Sequence, residues 1–162
     1  AEEIGGGPYG MEALNVLRLE KGFITHAEIH GRVTAFDLGM ERMVSKKKDC
    51  IGKTSAARPG LLDNEREQLI AVKPVGPIKQ IVAGAHLFDL NDNPIRQNDR
   101  GYVTSVGFSP TFGHFLGLAF LKNGHDRLGD RIKMVDHLRG IETECEVVNT
   151  VSFDPKGDRL RD

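Results

Sequence analysis

Glu20 is the residue whose type and position most plainly offer chemistry. It lies in Arg18-Leu19-Glu20-Lys21-Gly22, just past an apolar-periodic segment, where a helix is expected to run out. A carboxylate held there can accept two parallel N–H bonds from a flat heterocycle with an amino group beside a ring N–H. Pterins and guanines present that edge. The same spacing suits a surface glutamate beside Lys21, a common arrangement that contributes little. Lys46-Lys47-Lys48 is a compact positive patch. It reads as a solvated turn, from which one lysine facing a cleft would suit an anionic ligand tail.

Other groupings fail on spacing or context. His26 and His30 are four residues apart, as two metal ligands on one helix face would be. Glutamate does not directly follow His26, no third ligand is evident and the segment does not read as a helix, so exposed loop histidines are expected and no metal. Gly52-Lys53-Thr54 ends like a phosphate-binding loop, but the glycine required five residues before Gly52 is Lys47. Gly5-Gly6-Gly7-Pro8-Tyr9-Gly10 has the glycine content of a dinucleotide loop, yet it follows no strand, and Pro8 removes an amide.

The elements that must carry these residues divide the chain in two. Met11, Ala13, Leu14, Val16 and Leu17 share a broad helical face, and Gly22 supplies a stop. Leu38 to Val44 is the best strand candidate before residue 62, and Ile51 to Ala57 the best short helix. Pro59-Gly60 and Asp63-Asn64-Glu65-Arg66-Glu67 read as a connector. Beyond it, Leu69–Val72, Gln80–Leu87, Gly101–Phe108, Phe115–Leu121, Arg131–Val135 and Ile141–Val148 are short runs punctuated by Gly, Pro, Asn or Asp. In the last run Ile141, Thr143, Cys145 and Val147 alternate with Glu142, Glu144 and Glu146, one face dry and one wet. No helical pattern separates the runs, which disfavours a parallel sheet. The expected fold class is α+β, with a small α/β lobe over residues 1–62 and an antiparallel β-barrel-like lobe over 63–162.

Composition narrows the function classes. The chain has 162 residues and a net charge of −1, with 39% hydrophobic and 28% charged residues, so it is globular and long enough for a core. No basic footprint for nucleic acid is present. No apolar run approaches the roughly 20 residues of a membrane helix, and the start is not that of a signal peptide. Cys50 and Cys145 read as buried thiols in a reducing compartment, which together point to the cytoplasm.

Several stretches resemble the C-terminal half of the glycine-cleavage T-protein (aminomethyltransferase) family. They are Tyr9-Gly10-Met11-Glu12-Ala13-Leu14 with Leu17-Arg18-Leu19-Glu20-Lys21-Gly22, then Lys48-Asp49-Cys50-Ile51-Gly52-Lys53, then Gly101-Tyr102-Val103-Thr104-Ser105 with Phe108-Ser109-Pro110-Thr111-Phe112-Gly113. Val151-Ser152-Phe153 fits the end of the family's barrel. The matches run in order over nearly the whole chain. Within the family, Asp37-Leu38-Gly39-Met40-Glu41-Arg42-Met43-Val44 with the triple lysine, and Arg58-Pro59-Gly60-Leu61, are similar to the alpha subunits of heterotetrameric sarcosine oxidases.

The resemblance implies a tetrahydrofolate-binding cleft, with Glu20 on the pterin edge and Lys48 near the folate tail. It implies residues 1–62 as the C-terminal portion of a folate-binding aminomethyltransferase-like domain and 63–162 as a C-terminal barrel domain. The implied reaction is oxidative demethylation of sarcosine to glycine, with the one-carbon unit passed to tetrahydrofolate and hydrogen peroxide formed. The implied partners are the remainder of the alpha subunit and a flavin-bearing beta subunit, with FAD, FMN and NAD bound largely outside this chain. No catalytic residue is expected here, so a C-terminal fragment or split domain, inactive alone, is expected. An apolar patch near Glu20 and Leu38–Val44 should mark where the missing half docks. A stand-alone aminomethyltransferase and a non-catalytic folate-binding relative remain as alternatives.

Overall fold

The computed structural model describes residues 2–63, 65–76 and 79–161; Ala1, and Asn64 of the expected connector, lie outside them. Six strands close into an antiparallel barrel: β1 (Glu67–Pro74), β2 (His86–Asp89), β3 (Gly101–Ser109), β4 (His114–Lys122), β5 (Arg131–Asp136) and β6 (Ile141–Val148). Around the wall the order is β1-β4-β3-β2-β5-β6, with β6 pairing back onto β1. Closure gives every strand two neighbours.

The strand runs expected from residue 101 onward all form, and the β6 alternation holds. Thr143, Cys145 and Val147 are buried, while Glu142 is exposed and Glu144 and Glu146 are half-buried. The run Leu69–Val72 is apolar without alternation because β1 is covered on both faces. Ile70 and Val72 enter the barrel core, whereas Leu69 and Ala71 pack outward with Leu19, Leu118 and Phe120. The run 80–87 differs from expectation. Only its end joins β2, while Ile81, Val82 and Ala85 turn into the barrel as an irregular plug, tied by Gly84 N–H to Val103 O at 2.8 Å.

Ahead of the barrel lie α1 (Met11–Lys21) and the single turn α2 (Lys53–Ala56), close to the two helices expected. The strand expected at Leu38–Val44 does not form. Gly39 turns the chain at φ +69°, and Glu41–Met43 is a 3-10 turn. All six strands of the barrel already have two strand neighbours, and this segment pairs with none of them. The helix also packs on a different face from the one its apolar residues mark. Met11 is 79% exposed and Leu17 56%, while Leu19 and Glu20 are buried and Asn15 and Val16 partly so. Gly107 on β3 sets this face. A Cβ there would lie 3.0 Å from Leu19 Cδ1 and 3.2 Å from Val16 Cγ2, so glycine lets the helix come close. Cys145 is buried as expected, its thiol pushed up to about 12 by burial, but Cys50 is exposed.

Three polar clamps hold the first 40 residues to the barrel and to the segments that flank it. Glu28, fully buried, accepts Thr104 Oγ1–H and Ser105 Oγ–H on Oε1, both at 2.6 Å. Its Oε2 accepts Thr25 N–H at 2.8 Å and faces Arg18 Nη1 at 3.4 Å. Thr104 and Ser105 are adjacent on a strand and should point to opposite faces. The register shift between Val103 and Ser105 inserts Thr104 as a bulge, so both hydroxyls reach one carboxylate. The second clamp is Asp37, which meets Arg66 at 2.7 and 2.9 Å just before β1. The third is Lys21, whose ammonium donates to Asp154 O and Oδ2.

Two outcomes follow. Val147 is wholly buried between β5 and β1, so Val147→Ala should cost about 1–3 kcal/mol in denaturant melts, while Glu144→Ala changes stability by roughly 0.5 kcal/mol or less. Equal losses would contradict the strand's facing. At Glu28, burial pushes the pKa up, but hydrogen bonds from Ser105, Thr104 and Thr25 and the Arg18 charge more than offset it, leaving it below the ordinary value. A folded pKa below the unfolded one means stability that is present above the unfolded value and lost as pH falls through the folded one. Glu28→Gln should therefore destabilise by about 3 kcal/mol near neutral pH, with the gap to wild type closing below about pH 4. Melts at pH 7 and pH 3 measure it, and a gap independent of pH would contradict the charged network.

Candidate functional site

The last turn of α1 carries Glu20 onto the end of the β3–β4 hairpin. Gly22 ends the helix in the left-handed region at φ +73°, returning Phe23 N–H to Arg18 O at 2.8 Å. Glu20 O accepts two further backbone bonds, from Ser152 N–H at 3.0 Å and Phe153 N–H at 2.7 Å. The segment after β6, which holds the Val-Ser-Phe motif, thus runs as a strap across the helix end and adds no strand. A Cβ on Gly22 would sit 2.7 Å from Thr150 O in that strap.

The Glu20 side chain is 4% exposed, and no positive group among the described residues pairs with it. Its Oε1 accepts Ser109 Oγ–H at 2.5 Å. Ser109, itself fully buried, accepts Phe112 N–H at 3.1 Å, so its own proton is directed to Glu20. Among the described residues nothing donates to Oε2. Glu20 lines a cavity of about 520 Å³ between α1 and the hairpin. Glu12, Val16 and Glu20 form one helical row along it, Ala13 and Leu17 a second, and Phe108, Pro110 and Thr111 stand opposite. Apart from the Glu12 and Glu20 carboxylates and Thr111 the lining is apolar, and of the two carboxylates Glu20 is the buried one. That arrangement suits a flat ligand whose polar edge carries two N–H donors.

Lys48 is not at this cavity. It sits in an exposed turn, where Ser45 Oγ accepts its N–H at 3.1 Å and its carbonyl accepts Lys53 Nζ–H at 3.0 Å. Lys46 and Lys47 are exposed too. Gly52 precedes the single turn α2, with Lys53 folded back onto the lysine turn. His26 is exposed, whereas His30 lies against the barrel, 3.2 Å from Tyr102 Oη and edge-on to Phe120. Among the described residues no cluster of His, Cys, Asp and Glu is arranged to hold a metal, and no helix is long and apolar enough to cross a membrane.

The sequence left the roles of Glu28 and Ser109 unread. Two adjacent hydroxyl residues inside the apolar run 101–108 were the available signal for the first. For Ser109 the signal was the turn-forming Ser-Pro-Thr at the end of that run.

The chain is similar to a known family, to curated proteins and to a solved structure. The glycine cleavage T-protein C-terminal barrel domain matches residues 68–154. The sarcosine oxidase subunit alpha of Rhizobium meliloti (strain 1021) is 41% identical over 154 residues, covering 94% of this chain and 16% of that protein. An aminomethyltransferase of Listeria welshimeri is 30% identical over 155 residues, covering 90% of this chain and 38% of that one. The crystal structure of the glycine cleavage system aminomethyltransferase T from Bartonella henselae superposes with a TM-score of 0.64 at 25% identity, covering 86% of this chain and 38% of that chain. The chain thus spans about 16% of the length of the oxidase subunits it matches. With the profile covering β1 to the strap and the barrel closed as described, the chain belongs to the family of the glycine cleavage T-protein C-terminal barrel domain.

Proposed function

We propose that this chain is the folate-binding C-terminal region of a sarcosine oxidase alpha subunit. In this reading residues 1–62 complete an aminomethyltransferase-like domain and residues 63–162 form the barrel domain behind it. The carrying observation is Glu20: a buried carboxylate with one oxygen held by Ser109 and the other unpaired at an apolar cavity of about 520 Å³. The chemistry of that acceptor pair fits the N–H edge of a pterin. When bound, tetrahydrofolate supplies the nitrogens that take up the one-carbon unit.

This chain's own residues bind and orient. Glu20 accepts the amino and ring N–H of the pterin edge, which fixes the plane of the ring. Val16, Leu17 and Phe108 cover its faces and exclude water, strengthening those charged hydrogen bonds. Lys48, which the resemblance would put near the folate tail, stands on an exposed turn away from the cavity, so no contact is assigned to it. Oxidation of sarcosine to its imine, with oxygen reduced to hydrogen peroxide, belongs to a flavin-bearing beta subunit; glycine is released when the one-carbon unit passes to tetrahydrofolate, and FAD, FMN and NAD lie largely outside this chain. The 41% identity to a sarcosine oxidase alpha subunit, against 30% to an aminomethyltransferase, favours the oxidase over a stand-alone transferase.

In the intact oxidase, Glu20→Ala should weaken tetrahydrofolate binding by about 1.5–3 kcal/mol, roughly 10- to 150-fold in Kd. Flavin reduction by sarcosine should keep its rate, because Glu20 touches the acceptor and not the amine, and formaldehyde should replace methylene-tetrahydrofolate as product. An unchanged folate Kd would remove Glu20 from the site. This chain alone, incubated with sarcosine, oxygen and tetrahydrofolate, should yield no peroxide above the buffer blank. Turnover there would overturn the division of labour.

A further inference from the structure

We infer that Ser109 is a positioning residue that sets Glu20 as a two-acceptor receptor and so determines which heterocycle the cavity takes; the inference rests on the folate reading of that cavity. Ser109 lies at the end of β3 with no exposed surface. Its Oγ has one lone pair engaged by Phe112 N–H at 3.1 Å, and its proton goes to Glu20 Oε1 at 2.5 Å. The hairpin backbone therefore sets the hydroxyl's direction, and the hydroxyl sets the carboxylate's.

The consequence is geometric. A glutamate side chain has three rotatable bonds, and α1 fixes only the backbone end of this one. The Ser109 bond fixes the other end and occupies one acceptor direction on Oε1. Among the described residues Oε2 has no donor, and Oε1 keeps a second lone pair, so the two oxygens form a pair of acceptors that are coplanar by the nature of a carboxylate. Two coplanar acceptors match two adjacent N–H donors, such as the amino group and ring N–H of a 2-amino-4-oxo heterocycle. A ring that lacks the amino group can engage only one of them. Without Ser109 the carboxylate loses the one side-chain bond that fixes its plane; it still meets a single donor, but the pairing to two donors loses its preset orientation. Ser109 thus acts on selectivity more than on the cavity's shape.

The test uses the intact enzyme and two probes, 6-methyltetrahydropterin and its 2-desamino analogue, with affinities read by fluorescence quenching well below the melting temperature. Wild type should prefer the 2-amino probe. In Ser109→Ala the 2-amino probe should weaken about 3- to 10-fold while the 2-desamino probe changes less than about twofold. Ser109→Cys, which keeps the buried volume but donates weakly, should give the same loss of preference, so the result stands if the alanine variant folds poorly. In a Glu20→Ala background, Ser109→Ala should have no further effect on either probe, because the hydroxyl acts through Glu20. Equal weakening of both probes, as packing damage alone would give, would overturn the inference. So would an undiminished preference in Ser109→Ala and Ser109→Cys while Glu20→Ala loses it, and in that case the folate reading would survive. If Glu20→Ala leaves both affinities unchanged, both fall together.

Discussion

The Glu28 carboxylate is the interaction on which the placement of everything else depends. It is charged and fully buried, and desolvating such a group is unfavourable unless its acceptor sites are filled. Filling them draws together groups from separate parts of the chain: Arg18 from α1, Thr25 from the turn after it, and Thr104 and Ser105 from the bulge in β3. Arg18 also donates to Ser105 Oγ at 2.7 Å and to Asn15 Oδ1, and Asn15 donates to Val106 O. A shift of α1 along β3 would leave several of these groups unpaired in a dry place. The network thereby fixes the register of helix on sheet, which apolar contacts at Val16 and Leu19 alone would leave adjustable.

That register explains which parts of the fold were legible in the sequence. Strands β3 to β6 could be read directly, because glycine and polar turns punctuate them and the barrel covers their inner face. The helix was legible as a helix, and its stop at Gly22 as a stop. Its buried face was not. Apolar periodicity marks the side that carries Met11, Leu14 and Leu17, and these three are exposed. The side that packs includes Arg18 and Asn15, whose polar ends are paired with the barrel. Periodicity weighs those residues as wet, so a helix seated through hydrogen bonds is assigned the wrong face. Of this apolar row Leu17 lines the Glu20 cavity. At Leu38–Val44 the described residues form turns instead of the expected strand, and Met43 stands exposed there.

The candidate site was legible to a similar depth. A carboxylate at a helix end could be singled out from chemistry, since its value depends on local position. Its partner could not, because Ser109 lies 89 residues away and meets Glu20 only once the barrel has closed. The bulge was equally hidden. Thr104 and Ser105 on a regular strand would face opposite ways, and only the register shift against β4 makes them neighbours around one carboxylate. In both cases the sequence displayed the hydroxyl residues and withheld their direction.

The distribution of restraints along α1 accounts for the cavity's form. The first turns hold few partners, and Met11, Glu12, Ala13 and Leu14 are all exposed. From Asn15 onward the restraints accumulate: side-chain bonds from Asn15 and Arg18, close packing of Leu19, the strap's two amides on Glu20 O, and the Lys21–Asp154 pair. A helix fixed at one end and free at the other holds its last residues to within small displacements, while the opening turns can move. The carboxylate sits at the fixed end, where orientation governs the strength of paired hydrogen bonds. The apolar row extends toward the free end, where contact is non-directional and tolerates movement. The cavity between helix and hairpin thus runs from Glu12 and Ala13 on the less restrained turns to Glu20 on the fixed one.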